Sequence, residues 1–126
     1  MAGGDHDPSW EFKRHWLEIR CIELQASVCG TINEIWAVRD LEEIPEPGEL
    51  PREGEAFGEE LSRLDRLVRR LSAAGACLQT VTEDSRRTDR DHVESEVALC
   101  LEQSRASMFE IRRVMNAHVR HVIGRI

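Results

Sequence analysis

His118 and His121 stand three residues apart, a spacing that on a helix puts two imidazoles on adjacent turns, where they could be offered to a metal ion. The metal-binding helical bundles that use carboxylates and histidines carry Glu-x-x-His twice with further glutamates, and no Glu-x-x-His occurs in this chain. The four cysteines, Cys21, Cys29, Cys77 and Cys100, lack the Cys-x-x-Cys or paired Cys/His spacing of a zinc module. His92 lies in a charged stretch and reads as solvated. No metal site and no cofactor is therefore expected.

Nucleophilic and phosphate chemistry have no better footing. The chain contains no Gly-x-Ser-x-Gly elbow, no phosphate-binding Gly-rich loop and no His-Glu-x-x-His. An enzymatic reading would need a polar pocket ringed by His118, His121 and either Cys100 or Cys77. No catalytic residue is assigned, and the chain reads as a non-enzyme.

The thiols also bear on the compartment. Cys21 and Cys29 are separated by eight helical residues, about 12 Å, too far for a disulfide that needs Cα atoms within about 7 Å. Cys77 and Cys100 would lie opposite each other if the chain reversed near Thr88 and Asp89, but a bridge there is disfavoured. The opening MAGGDHDPSW lacks the basic start and apolar block of a secretory signal. Unbridged thiols in such a chain point to a reducing compartment, cytoplasmic or nuclear.

These residues need helices to hold them. The chain has 126 residues, about one domain, and 40% are hydrophobic, or about 46% with the 8 glycines added. No apolar run reaches a membrane span. Asp7-Pro8 fits a cap followed by proline in the first helical turn. Trp10, Leu17, Cys21, Leu24, Val28, Ile32 and Ile35 then keep to one face of a first helix over 8–44, after a disordered 1–7. Leu61, Leu64, Val68, Leu71, Gly75, Leu78 and Thr82 predict a second helix over 56–87. Val93, Val97, Leu101, Ser104, Met108, Ile111, Met115, Val119 and Val122 predict a third over 89–124.

Between the first two helices, residues 42–60 carry eight Glu and one Arg, a local balance of −7 that equals the net charge of the whole chain. Pro45, Pro47 and Pro51 forbid an intact helix there, so 45–55 reads as a mobile acidic linker. Between the second and third, Thr88 and Asp91 have the spacing of a capping box and favour a turn. Glu83 with Arg86 and Arg87 would instead support continuity. The expected fold is all-α: three long helices in an antiparallel up-down bundle or coiled-coil rod. The alternative is the first helix plus one very long helix over 56–124 in an oligomeric coiled coil.

Function is carried by surplus apolar surface. Ile22, Cys29 and Trp36 form a second stripe on the first helix, and Phe12, Trp16 and Ile19 lie on yet another side. One apolar face suffices to pack a helix on a bundle. Either the first helix lies in the groove between the other two, with the extra stripe packed on the second of them, or the stripe meets another protein or a second copy. All three tryptophans of the chain are on this helix, and tryptophan is enriched where binding energy concentrates. Arg112, Arg113, Arg120 and Arg125 make the carboxyl-terminal stretch basic, suited to a solvated face, to an acidic partner surface or to the chain's own acidic linker folded back. Nucleic acid is disfavoured by the net charge of −7 and by the lack of interleaved aromatics.

Sixteen of the 17 basic residues are arginine, Lys13 being the exception, which reflects coding composition more than function. The expectation is a non-catalytic interaction subunit, an adaptor or structural component, whose partner is another helical protein or a second copy of itself. The competing expectation is a self-contained regulatory or effector bundle that binds a peptide or small ligand.

Overall fold

Ser9 starts the first helix. Its hydroxyl accepts the backbone N–H of Phe12 at 3.2 Å and its carbonyl accepts that of Lys13 at 3.1 Å, which satisfies donors that a helix amino terminus otherwise leaves unpaired. The cap is thus Ser9, two residues beyond the Asp7 expected from the sequence. The structure, a computed structural model, describes residues 9–42 and 57–124. It contains α1 (Trp10–Glu42), α2 (Gly58–Gln79) and α3 (Arg87–Gly124). The acidic linker 45–55 and the amino-terminal 1–7 lie outside the described residues.

The connector between α2 and α3 settles the continuity question: the chain turns. α2 ends eight residues before the expected 87, because Thr80-Val81-Thr82 is a β-branched run that loses rotamer freedom in a helix. The Thr80 hydroxyl and backbone N–H both bond the Cys77 carbonyl, at 2.7 and 3.1 Å. The turn is built from Thr82 and Ser85 rather than from Thr88 and Asp91. The Thr82 N–H donates to Ser85 Oγ at 3.0 Å, and the Asp84 N–H to Thr82 Oγ1 at 3.3 Å. Thr88 lies inside the first turn of α3, and Asp91 pairs with Arg87 at 3.8 Å. Glu83 makes none of its expected helical pairs; it reaches the Glu11 backbone N–H at 3.0 Å and Arg90 at 3.4 Å.

Cross-helix bonds define the up-down-up order. Gln25 of α1 bonds Ser72 of α2 at 2.7 Å, and Arg14 bonds Gln79 at 3.0 Å, an antiparallel register. Arg70 pairs with Gln103 and Arg63 with Glu110, also antiparallel. Lys13 pairs with Glu94 and Arg112 with Thr31, so α1 and α3 run parallel. All three pairs of helices pack together in an all-α antiparallel bundle without strands among the described residues.

The buried residues recur by sevens on each helix. Cys21, Val28 and Ile35 on α1, Leu64, Leu71 and Leu78 on α2, and Val97, Ser104 and Ile111 on α3 form such rows. A seven-residue repeat keeps one seam facing the partner helices along the whole length. Phe57 closes one end: its ring is buried and stands edge-on to His118, centroids 4.8 Å apart, although its backbone takes the left-handed φ of 62°. Trp10 closes the other end, with its indole N–H on the Val81 carbonyl at 2.9 Å.

Gly75 sits mid-helix in α2, and a Cβ added there meets nothing within 4 Å. Gly75→Ala is accordingly expected to stabilise the fold by about 0.5–1 kcal/mol through helix propensity, read as a higher melting temperature.

Candidate interaction surface

The bundle buries one face of α1 and leaves the opposite one bare. In the seven-residue repeat, the positions farthest from the core hold Phe12, Ile19, Ala26, Asn33 and Asp40. His15, Ile22, Cys29 and Trp36 flank them on one side, and Trp16, Glu23, Gly30 and Ala37 on the other; all of these are exposed. The large members keep much of their surface: Phe12 62%, Trp16 49%, Ile19 37%, Ile22 64% and Trp36 50%. The first helix does lie against both of the others, but the Ile22, Cys29 and Trp36 stripe does not pack on the second of them. The groove is filled by Cys21, Val28, Thr31 and Ile35 instead.

With 150–250 Å² available on each aromatic side chain, the five large residues present roughly 500 Å² of apolar area, at the upper end of what a monomer tolerates. Only Glu23, Asn33, Asp40 and His15 interrupt the face with polar groups. Each exposed indole is partly covered by a guanidinium: Arg20 stacks over Trp16 at 4.0 Å and Arg39 over Trp36 at 4.6 Å. Such contacts contribute about 0.5–1 kcal/mol at exposed sites. Arg20 is also tied to Glu23 at 3.0 Å. Of the three tryptophans, Trp10 belongs to the core, and Trp16 and Trp36 to this surface.

The basic residues divide in the same way. Arg112 turns inward, donating to Thr31 Oγ1 at 2.8 Å and to Glu34 at 3.4 Å, and so ties α3 to α1. Thr31 is fully buried and donates to the Ser27 carbonyl at 3.0 Å, so its oxygen is free to accept from Arg112. Arg113 and Arg120 point to solvent. Arg125 lies outside the described residues.

The histidines and thiols do not assemble. His118 packs on Phe57, while Cys100 lies 18 residues earlier on the same helix, about 27 Å away. The pocket that an enzymatic reading requires is absent among the described residues. No group of three or more His, Cys, Asp or Glu gathers there to hold a metal, and no described helix is long and apolar enough to cross a membrane. All four cysteines are free thiols. Cys77 and Cys100 are not directly opposite: at the Arg70–Gln103 register Cys77 faces position 96 and Cys100 faces position 73, one helical turn apart.

One feature escaped the sequence reading. The run Ser72-Ala-Ala-Gly-Ala-Cys77 gives α2 a stretch of small side chains, which leaves a groove of about 270 Å³ against α3, lined by Ala73, Ala74, Cys77, Val97, Leu99 and Cys100. A second groove of about 330 Å³, beside Gly75, opens against α1 at Cys21 and Ile22. The signal was the run itself, since six small residues in a row cannot fill the space between helices. Comparison with protein families, with curated proteins and with solved structures finds no match to this chain.

Proposed function

We propose that this chain is a non-catalytic helical interaction subunit, an adaptor or structural component that docks through the outer face of α1 against a partner helix. The observation that carries the reading is the exposure of Phe12, Trp16, Ile19, Ile22 and Trp36 on one side of a helix whose other side already forms the core. An apolar helix face laid against another helix gains by removing that area from water, and aromatic anchors supply most of the binding energy in such contacts. The exposed Arg113 and Arg120 supply charge away from the apolar face and can bias orientation.

Trp36→Glu tests this directly. Because Trp36 is half exposed in the isolated bundle, helicity and melting temperature are expected to stay within about 0.5 kcal/mol of wild type. The assembly that tagged wild-type chain forms in native extract, read by size exclusion, is expected to be lost. A variant that unfolds in isolation would place Trp36 in the core and end the reading.

A second reading, a self-contained regulatory or effector bundle that takes a peptide or small ligand, is supported by the groove between α2 and α3. At about 270 Å³ it falls just under the size of most ligand sites, which makes it the weaker of the two.

A further inference from the structure

The outer face of α1 is asymmetric along its length. Its amino-terminal half is bulky, with Phe12, Trp16, Ile19 and Ile22, and its carboxyl-terminal half is small at Cys29, Gly30, Asn33 and Ala37 around one large side chain, Trp36; Ala26 lies between them. We propose that this face is a two-fold interface with a second copy of the chain, the two α1 helices running antiparallel and centred on Ala26. The inference rests on the docking role proposed above and goes beyond it by naming the occupant.

A two-fold axis makes a surface complement itself, so that residue i meets j and j meets i. Centred on Ala26, the antiparallel pairing sets Ile22 beside Cys29 of the second copy, Ile19 beside Asn33 and Trp16 beside Ala37. Three of the large side chains thus meet a smaller one, Trp36 falls beside His15 and Phe12 beside Asp40, and each pairing occurs twice. Gly30 is part of the fit: nothing in its own chain lies within 4 Å of where its Cβ would be, so the space above it is open to the second copy. The flanking charges agree, since Arg20 lies level with Glu34 of the other copy and Glu11 with Arg39. A parallel pairing would set Phe12 on Phe12 and Ile19 on Ile19, crowding the bulky half and leaving a gap over Ala26, Cys29 and Gly30.

The area is also of the right size. The roughly 500 Å² of large apolar side chain, extended by Ala26, Cys29, Gly30 and Ala37, approaches the roughly 800 Å² per partner of a stable interface. α2 and α3 lie on the far side of α1 and do not obstruct the approach.

The test uses the purified full-length chain in sedimentation equilibrium. Wild type is expected to dimerise. Ile22→Glu should raise the dissociation constant on the order of 100-fold or more, because the substitution enters the interface twice. Gly30→Leu should raise it about ten-fold or more while leaving the melting of the monomer unchanged or higher. Orientation is read with a short bis-maleimide in a Cys77→Ser, Cys100→Ser background that keeps the buried Cys21. One chain retains Cys29; the other carries Ile22→Cys with Cys29→Ser. Cross-linking in the mixture but in neither chain alone supports the antiparallel register, and cross-linking within each chain alone overturns it.

A wild-type chain that is monomeric at about 100 μM overturns the second copy as occupant, and a dimer indifferent to Ile22→Glu and Gly30→Leu overturns the choice of face. Neither result touches the docking role, which fails separately if Trp36→Glu leaves the native assembly intact.

Discussion

Leu71→Ala is expected to lower the unfolding free energy by about 2–5 kcal/mol, a large share of the 5–15 kcal/mol that holds a domain of this size together. Leu71 is fully buried in the middle of α2. The cross-helix registers set it between Ile22 and Ala26 on α1, beside the partly buried Leu24, and at position 102 on α3, between Leu101 and Ser104. Ser104 is itself fully buried and too short to move into the vacated volume. The small run that follows Leu71 on its own helix offers nothing larger, so the cost falls within that range rather than near zero. Urea denaturation at fixed chain concentration measures it. Leu61→Ala, at a partly buried position near the start of α2, should cost clearly less. Equal losses at the two positions would mean that α2 is not held at the register described.

The buried face of each helix was legible because its spacing is a direct consequence of 3.6 residues per turn. Trp10, Leu17, Cys21, Leu24, Val28, Ile32 and Ile35 were placed on one face of α1 by spacing; five are buried, and Leu24 and Ile32 are partly buried against the core. The connector was harder. Val81 continues the apolar row of α2 and is buried, yet the chain has already left the helix there, with Thr80 and Thr82 bonding locally on either side. Periodicity registers where a side chain goes, not whether the backbone beneath it is still helical. The misplaced Thr88 and Asp91 cap has the same origin: a side-chain spacing that suits a helix start also suits a helix interior.

The second stripe of α1 shows what a single sequence leaves open. Spacing alone gives the angle between Ile22 and Leu17 around the helix, but whether a neighbour covers Ile22 depends on how far α2 and α3 wrap around α1. Two facing helices cover about half of its circumference, and Ile22, Cys29 and Trp36 fall in the other half. The net charge of −7 was no guide to this surface, since that balance is confined to residues 42–60. Arg112 was misjudged for a related reason: its partners, Thr31 and Glu34, are about 80 residues away in sequence and adjacent only after folding.

Cys21 gives the fold a pH dependence of its own. The thiol is pushed up to about 11 from an ordinary value near 9, first by burial and then by the neighbouring Cys100 thiol and Glu18 carboxylate, all of which disfavour the thiolate. In the unfolded chain the thiol is free to ionise near its ordinary value. Between about pH 9 and about 11 the unfolded state therefore gives up a proton that the folded state keeps. Stability falls across that interval, by on the order of 2 kcal/mol, and the contribution levels off once the folded thiol also ionises. Below pH 9 both states hold the proton and Cys21 adds no slope. Cys21→Ala removes the titrating group, so its stability relative to wild type should improve as pH rises from 9 to 11, even though the truncation costs some packing at neutral pH. Urea denaturation of the two proteins at pH 7, 9 and 10.5 measures the difference, and parallel pH profiles would mean that water reaches Cys21 in the folded bundle.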